Sequence, residues 1–219
     1  MALINTPTEG TYYIAIAGNI GVGKTTLTNM LCEKLGWQPV FEAFNENPFL
    51  ADFYEDMPRW GFHSQVFFLS QRLKQHHFLL RRNGSIVQDR SIYEDAEVFA
   101  KSLYLQGTLA ENEWQTYFDL YKTIARVIAP PNLVVFLQAS IPTLLKRIAL
   151  RGRDYELSIS REYLERLNER YEDWIANFKV CPTLTIETDA LDYVQYEEHL
   201  DLILQKINER LHGKDILSL

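Results

Sequence analysis

Residues 18–26 read GNIGVGKTT, which fits the pattern G-x-x-x-x-G-K-[ST] of a phosphate-binding loop. The apolar run Tyr12–Ala17 before this loop has the length and the aromatic and β-branched content of a buried strand. After the loop, Leu27, Leu31 and other apolar residues recur at helical spacing. A strand, a glycine-rich loop and a helix in this order are the context that a phosphate-binding loop requires, whereas a merely flexible glycine turn does not need it.

The chemistry of the loop follows from its residue types. Glycines let successive backbone N–H groups face a phosphate, and the start of the helix adds a favourable dipole. Lys24 is expected to reach the β- and γ-phosphates, and Thr25 is expected to ligate Mg²⁺. The predicted phosphate-binding residues are Gly18, Asn19, Ile20, Gly21, Val22, Gly23, Lys24, Thr25 and Thr26.

Composition limits the class of protein. The chain has 219 residues, of which 47% are apolar, so it can bury one sizeable core, and we expect a single domain over residues 1–219 with a loose arm at 1–11. A net charge of −7 argues against a broad nucleic-acid surface. No apolar stretch is long enough to span a bilayer, and the two cysteines do not suggest a disulfide scaffold. These features predict a soluble, cytoplasmic protein.

Strand and helix patterns alternate along the rest of the chain. After the first helix, which Gly36 ends, strands are predicted at 37–41, 85–88, 133–137 and 183–187. Helices are predicted at 48–54, 58–84, 95–105, 112–128, 140–150, 160–177 and 194–212. Within the second of these, one face is expected to carry Phe62, Val66, Leu69, Leu73 and Leu80. The alternation predicts a mostly parallel five-stranded sheet with helices on both faces and ligands at the carboxyl ends of the strands.

Acidic and basic residues follow the second and third predicted strands. Glu42 ends the second strand, and Asp89 and Arg90 end the third. Phosphoryl transfer needs a proton acceptor, a metal ligand and a cation over the reacting oxygens, and these three residues suit those roles in that order. The alternatives are a solvated carboxylate at Glu42 and a salt-bridged helix start at Asp89 and Arg90. Because no Asn-Lys-x-Asp motif is present, a signalling GTPase is poorly supported.

A third basic motif, R-x-x-x-R-x-R, lies further along the chain. Arg147 and Arg151 share a helix face, and Arg153 follows on a predicted lid loop at 151–157. Three guanidinium groups that converge on phosphates would shield their charge as a lid closes. The alternative is a solvated basic face that pairs with Glu162, Glu165 and Glu169.

Four motifs in this order resemble one family. They are GNIGVGKTT at 18–26, FY at 53–54 followed by WGFHSQVFFLSQR at 60–72, DRSIYED at 89–95 and RIALRGRDYE at 147–156. From about Tyr13 to Asp192, the chain resembles the deoxyribonucleoside kinases of the group that contains deoxycytidine, deoxyguanosine and deoxyadenosine kinases. The resemblance implies a P-loop kinase fold with an arginine-rich lid, and transfer of the γ-phosphoryl of ATP, or of another nucleoside triphosphate, to the 5′-hydroxyl of a deoxynucleoside.

The resemblance also implies roles for single residues. It makes Glu42 the base, puts Arg90 beside the 5′-oxygen, and assigns the 3′-hydroxyl to Tyr54 and Glu156, with Tyr54 crowding a 2′-hydroxyl. Gln65, Arg72 and Asp95 fall where the family reads the edge of the base, and Phe99 falls where an aromatic ring stacks on it. The catalytic set that the sequence predicts is Glu42, Arg90, Lys24, Arg151 and Arg153, and the predicted metal ligands are Thr25 and Asp89.

Departures from the animal enzymes concern the base pocket and the metal. Asn47 and Ser64 stand where aromatic residues often wall the pocket, Ala43 replaces a common proline, and Asp89 replaces glutamate. The wider pocket resembles that of the bacterial purine deoxynucleoside kinases, so we expect deoxyadenosine or deoxyguanosine as the substrate. The family dimerises through two long helices, here Pro58–Arg82 and Asn112–Ile128, which implies a homodimer.

Three further interpretations remain open at the level of sequence. A nucleoside-monophosphate kinase of the thymidylate-kinase type shares the fold but needs a cationic site for the phosphate of its acceptor. A catalytically silent, kinase-like subunit would have no need for Lys24, Glu42 or Arg90. The segment Thr188–Asp192 is either the loop that touches the donor's adenine or a helix-capping turn.

Overall fold

The computed structural model describes residues 10–42, 46–79, 84–153, 156 and 159–212. The strands in these ranges are β1 (Tyr13–Gly18), β2 (Gln38–Val40), β3 (Ile86–Asp89), β4 (Leu133–Gln138) and β5 (Thr183–Glu187). The helices are α1 (Lys24–Leu35), α2 (Leu50–Glu55), α3 (Met57–Leu79), α4 (Ile92–Glu94), α5 (Lys101–Leu105), α6 (Glu111–Ala125), α7 (Ile141–Arg151), α8 (Arg161–Asn177) and α9 (Glu197–His212). A π-helical turn, Asp95–Ala100, joins α4 to α5.

The five strands form one parallel sheet in the order β2-β3-β1-β4-β5, which confirms the predicted fold class. The central strand β1 is buried after its first residue, because isoleucine and alanine alternate along it and the larger side chains pack on one face. Since the chain crosses from β1 to both sides of the sheet through right-handed connections, helices cover both faces.

The register of the sheet brings the strand ends together. Ile16 of β1 lies beside Asp89 of β3, and Gly18 lies beside Leu137 of β4. The phosphate-binding loop after β1 and the acidic segment after β3 therefore start at the same edge of the sheet.

The structure corrects one detail of the predicted helices. The helix expected to begin at Asp95 begins at Ile92, because the Ser91 hydroxyl caps it by accepting from the Glu94 N–H at 3.4 Å. On α3, Leu73 has an exposed fraction of 42%, although Leu69, one turn earlier in the helix, is buried.

Several predicted features fall outside the described residues. They are residues 1–9 of the expected arm, residues 154, 155 and 157 of the expected lid loop, and Ala43 and Leu80. In the part of the chain that the structure describes, none of the helices combines the length and the apolar character needed to cross a membrane.

Candidate active site

A cavity of about 210 Å³ lies at the carboxyl edge of the sheet, beside the phosphate-binding loop. It brings together ten of the residues that the sequence analysis selected, which are Ile20, Gly21, Lys24, Thr25, Glu42, Asp89, Arg90, Arg151, Arg153 and Glu156. These residues come from four separate stretches of the chain. Their convergence turns the sequence motifs into one site with cations, carboxylates and a hydroxyl facing a common space.

The phosphate-binding loop has the shape that its glycines allow. Gly18 and Gly23 adopt φ angles of 144° and 110°, which side chains rarely tolerate. A Cβ at Gly18 would lie 2.5 Å from the Leu137 carbonyl oxygen, and a Cβ at Gly23 would lie 2.5 Å from the Tyr193 hydroxyl. The backbone is therefore held close to its neighbours at both positions.

The Lys24 side chain bonds to the backbone of its own phosphate-binding loop. Its Nζ donates to the Gly18 carbonyl at 2.6 Å and to the Asn19 carbonyl at 3.0 Å. Burial, together with the nearby Arg90 guanidinium, lowers the pKa of Lys24 to about 8, against the attraction of surrounding carboxylates. The ammonium is thus still largely charged at neutral pH.

A larger cavity of about 770 Å³ opens on the other side of the loop. It is lined by residues 21–26, by α7 and by the segment 189–195 that follows β5. In that segment, Asp192 Oδ1 accepts from the N–H groups of Val194 and Gln195 at 3.2 and 3.0 Å. The segment thus makes a capping turn and also lines the cavity, so the two interpretations of Thr188–Asp192 are compatible.

Thr25 and Asp89 meet where a metal ion is expected. The Thr25 hydroxyl donates to Asp89 Oδ2 at 2.5 Å, and Asp89 Oδ1 is buried without a hydrogen-bond partner among the residues that the structure describes. One hydroxyl and one carboxylate are hard oxygen ligands, which suits Mg²⁺ that keeps water and phosphate oxygens as its other ligands. Within the described ranges, no group of three or more His, Cys, Asp and Glu side chains could hold a metal ion. The residues present therefore fit a magnesium ion that is shared with a nucleotide.

Glu42 lies between two guanidinium groups. Its Oε1 is 3.3 Å from Arg72 Nη2 and 3.6 Å from Arg90 Nη1. Burial works to raise the pKa of Glu42, but Arg90, Arg72 and Lys24 together lower it below its ordinary value. The carboxylate is thus ionised at neutral pH and can accept a proton.

Arg72 joins Glu42 to the residues predicted to read a base. Its Nε donates to Asp95 Oδ2 at 2.7 Å, and its Nη1 donates to the Asp89 carbonyl at 3.2 Å. Burial raises the pKa of Asp95 against the pull of Arg72. Gln65, two helical turns before Arg72 on α3, is also buried, with 4% of its surface exposed.

Arg90 is held in an unusual backbone conformation. Its φ angle is 67°, and no other non-glycine residue in the described ranges has a positive φ. Such a conformation costs about 1–3 kcal/mol and is found mostly where function requires it. The guanidinium carbon lies 4.2 Å from the centre of the Phe99 ring. One face of Phe99, which the sequence analysis expected to stack on a base, is therefore covered by Arg90.

The three arginines of the basic motif differ in what they contact. Arg147 donates to the Val22 carbonyl at 2.8 Å and to the Thr188 carbonyl at 2.9 Å, so it ties the phosphate-binding loop to the end of β5. Arg151 and Arg153 both bond to the buried Glu156 carboxylate. Arg147 thus contacts backbone oxygens in this state, whereas the other two share one carboxylate at the edge of the cavity.

Tyr54 and Glu156, the predicted sugar-binding pair, lie close to each other. Burial raises the pKa of the Tyr54 hydroxyl well above its usual value, and the nearby Tyr163 and Glu156 add to this effect. The Tyr54 hydroxyl is therefore neutral and can both donate to and accept from a sugar hydroxyl.

Sequence reasoning missed one buried acid. Glu94 has no exposed side-chain surface and contacts both Arg90 and the start of the phosphate-binding loop. Burial raises its pKa to about 7 despite the attraction of Arg90 and Lys24. The segment DRSIYED carries little signal for it, because it contains three acids and acids are mostly exposed.

Comparisons with known proteins agree with this geometry. The family model described as "Deoxynucleoside kinase" matches residues 14–212. A deoxyadenosine/deoxycytidine kinase of Bacillus subtilis is 38% identical over 203 residues, which cover 91% of this chain and 93% of that protein. A deoxyguanosine kinase of the same organism is 33% identical over 206 residues, with 90% and 96% covered. Among solved structures, a deoxyadenosine kinase from M. mycoides with bound dATP has a TM-score of 0.80 at 31% identity, with 90% of this chain and 99% of that chain covered.

Proposed function

The chain belongs to the deoxynucleoside kinase family, and on that premise we propose that it transfers the γ-phosphoryl group of ATP to the 5′-hydroxyl of a deoxynucleoside. The observation that carries this proposal is the cavity of about 210 Å³, where the loop lysine, the carboxylate Glu42 and the guanidinium of Arg90 face one another. A donor phosphate on the loop and an acceptor hydroxyl at Glu42 would meet in this space.

The residues divide the chemistry between them. Glu42, ionised between Arg72 and Arg90, accepts the proton of the 5′-hydroxyl as that oxygen attacks the γ-phosphorus. Lys24 leaves the two carbonyl oxygens that it now contacts and neutralises the β- and γ-phosphates. Arg90 stabilises the charge that develops on the equatorial oxygens.

Thr25 and Asp89 hold Mg²⁺ in this proposal. The ion, when bound, offsets phosphate charge and aligns the donor for in-line transfer. The buried and unpartnered Asp89 Oδ1 supports this role, because an orphaned carboxylate oxygen beside a phosphate loop otherwise costs stability.

The lid arginines act after the donor binds. Arg151 and Arg153 move from Glu156 to the transferred phosphoryl group, and Glu156 then accepts from the sugar 3′-hydroxyl together with Tyr54. Arg147 keeps its contacts with Val22 and Thr188 and fixes the loop against the segment that borders the donor cavity.

Deoxyadenosine fits the base-reading residues better than the other deoxynucleosides do. Asp95, held by Arg72, is a fixed acceptor that suits the exocyclic amine of adenine, and the buried amide of Gln65 offers both a donor and an acceptor. Guanine and thymine carry a carbonyl at that position, while cytosine carries an amine on a smaller ring. We therefore rank deoxyadenosine first and expect deoxycytidine and deoxyguanosine to be weaker substrates. The similarity to a protein named deoxyadenosine/deoxycytidine kinase supports this order.

The two rival functions are disfavoured. A nucleoside-monophosphate kinase would need a cation for the acceptor's phosphate, but Arg72 spends its N–H groups on Asp95, Glu42, Gln75 and the Asp89 carbonyl. A silent subunit would not need Lys24, Glu42 and Arg90 to line one cavity.

The test is a coupled assay with ATP and Mg²⁺ on deoxyadenosine, deoxyguanosine, deoxycytidine, thymidine and their 5′-monophosphates. The variant Glu42→Gln should lose about 10²–10⁴-fold in kcat, because it removes the base but not the shape. The control variant Glu46→Gln changes an exposed acid in the same segment and should behave as wild type. Turnover on monophosphates alone would refute the proposal, and thymidine ahead of the purines would refute the assigned base pocket.

Assembly and location complete the proposal. We place the enzyme in the cytoplasm as one domain that pairs with a second copy through α3 and α6. Exposed apolar side chains on these helices, Leu73 and Leu120, support the pairing. Light scattering at micromolar concentration should report a dimer, and Leu73→Glu should weaken it.

A further inference from the structure

Glu94 is a buried carboxylate that the mechanism above does not use. It sits at the end of α4, and its side chain has no exposed surface. Two donors from separate parts of the fold hydrogen-bond to its Oε1, namely the Gly18 N–H at 3.3 Å and the Tyr171 hydroxyl, and the Arg90 Nε lies 3.3 Å from the same oxygen as an ion pair without hydrogen-bond geometry. Gly18 begins the phosphate-binding loop and Tyr171 lies on α8, so this one oxygen links three segments.

The same contacts enclose the Arg90 guanidinium. Glu94 lies beside Nε, the Glu42 carboxylate lies 3.6 Å from Nη1, and the Phe99 ring lies beneath the guanidinium carbon. The charge of Glu42 is committed to a reacting proton in the proposed mechanism, and Phe99 gives little directional control. Glu94 is therefore the carboxyl group whose contact can fix the direction of Arg90 during the reaction.

Tyr171 supports the position of Glu94 from the opposite side. Its hydroxyl lies within hydrogen-bond distance of both Glu94 Oε1 and the Gly18 carbonyl oxygen, the latter at 2.8 Å. Its ring stacks on Phe136 of β4, with ring centres 5.5 Å apart and planes 18° apart. Tyr171 is thus anchored in the core and holds both Glu94 and the first residue of the loop.

We propose that Glu94 is a positioning residue, which with Tyr171 aligns the Arg90 guanidinium to the phosphate-binding loop for phosphoryl transfer. This inference rests on the proposed function of Arg90. Burying an ionisable carboxyl group is costly, and its raised pKa, about 7, reflects that cost. In this arrangement the donor loop and the arginine over the reacting oxygens share one anchor. A small misplacement of such a group lowers the rate much more than it lowers affinity.

The test compares three variants in the full-length protein. Glu94→Gln keeps the shape but removes the charge that faces Arg90, Tyr171→Phe removes only the hydroxyl, and Glu97→Gln is the control, since Glu97 pairs with Lys101 outside the cavity. We expect Glu94→Gln to lower kcat by about tenfold or more and Tyr171→Phe to lower it by about threefold, with KM for ATP and deoxyadenosine changed by less than about threefold. The Glu97 variant should match wild type.

A spectroscopic measurement distinguishes an effect of Glu94 on the position of Arg90 from an effect on folding, and it does not depend on the proposed activity. The ¹⁵Nε resonance of Arg90, assigned with Arg90→Lys, should shift in the Glu94 and Tyr171 variants, while that of Arg72 stays in place. Unchanged kcat and an unchanged Arg90 resonance would overturn the inference. If Glu94→Gln fails to fold, the Tyr171 variant decides by the same two readings. If wild type phosphorylates no deoxynucleoside, the proposed function fails, and the Arg90 resonance alone then supports or overturns the role of Glu94.

Discussion

The acceptor side and the donor side of the active site are built differently. On the acceptor side, the charged groups are sealed: Arg72 is 4% exposed, and it is bonded to Asp95 and Glu42 before any substrate arrives. On the donor side, the side chains of Arg151 and Arg153 are 34% exposed, and both bond to the protein's own Glu156. One half is preassembled, and the proposed mechanism requires the other to exchange partners when a nucleotide binds.

This difference assigns substrate selectivity to the acceptor side and movement to the donor side. Removing one partner of a buried ion pair strongly lowers the free energy of unfolding, because the remaining charge has no water to solvate it. On the donor side, the two arginines are partly solvated and share one carboxylate, so Glu156 keeps a cation when either arginine is removed. The acceptor half therefore holds its selectivity in a fixed shape, while the donor half can open and close at small cost in free energy. Four experiments test this contrast, in order of decreasing expected effect.

Arg72→Met would break the acceptor half. It leaves Asp95 and Glu42 buried without their cation, so we expect the free energy of unfolding to fall by about 3–5 kcal/mol. Urea denaturation followed by circular dichroism measures this change. Lys74→Met, on the exposed face of the same helix, is the control and should shift the midpoint very little. Equal midpoints for the two variants would show that the acceptor half is not held by its charges.

Gly23→Ala would strain the backbone of the phosphate-binding loop, which is the fixed part of the donor half. The φ angle of 110° and the contact with the Tyr193 hydroxyl predict a loss of about 1–3 kcal/mol, and weaker ATP binding. Thermal denaturation and ATP titration measure the two effects. Gly36→Ala is matched, because its φ angle is also positive but its Cβ would meet nothing within 4 Å. ATP affinity should fall only in the Gly23 variant, and adding Tyr193→Phe should restore part of it.

Arg151→Ala tests the mobile part of the donor half. We expect kcat to fall by about tenfold, while stability changes by less than about 1 kcal/mol. The wild-type rate should also depend on salt more steeply than the rate of the variant, because ions screen an exposed guanidinium. Arg166→Ala, an exposed arginine on α8, serves as the control. A large loss of stability in Arg151→Ala would contradict the contrast between the two halves.

The mildest test is the pH dependence of donor binding. Because the pKa of Lys24 is lowered to about 8, the free enzyme loses this positive charge as the pH rises through that value. The kcat/KM for ATP should therefore fall about fourfold between about pH 7 and about pH 8.5. The kcat at saturating ATP should fall less, since bound phosphates favour the charged lysine. Equal profiles for the two parameters would contradict this assignment.

Most of the fold follows from local sequence. The strand at 183–187 was predicted with its observed bounds, because a β-branched run is bounded there by Pro182 and by polar residues. The π-helical turn was not predictable in the same way, since its wider hydrogen bonding depends on packing against α3, α6 and α8 rather than on residue preference. The exposure of Leu73 could not be predicted either, because spacing alone does not say how far along a helix its packed face stays covered.

The site could be predicted for residues that belong to a known motif. It could not be predicted for residues whose role depends on contacts with residues distant in the sequence. Lys24, Glu42 and Arg90 line the expected cavity because each follows a strand at the same edge of the sheet. Glu94 escaped notice because acids are mostly exposed, and the hydroxyl that holds it belongs to Tyr171, which is 77 residues away in the chain. The contacts of Arg147 with backbone oxygens could not be predicted either, because their partners are also distant in the sequence.

The π-helical turn at Asp95–Ala100 makes this part of the chain intolerant of changes in length. Asp95 and Phe99 both lie in the turn and face Arg72 and Arg90. Deleting one residue would restore ordinary helical bonding, but it would rotate everything after the deletion by about 100° relative to what precedes it. Either Asp95 or the packed residues of α5 would then face the wrong way. Among relatives, substitutions in this stretch should therefore be much commoner than the gain or loss of a single codon.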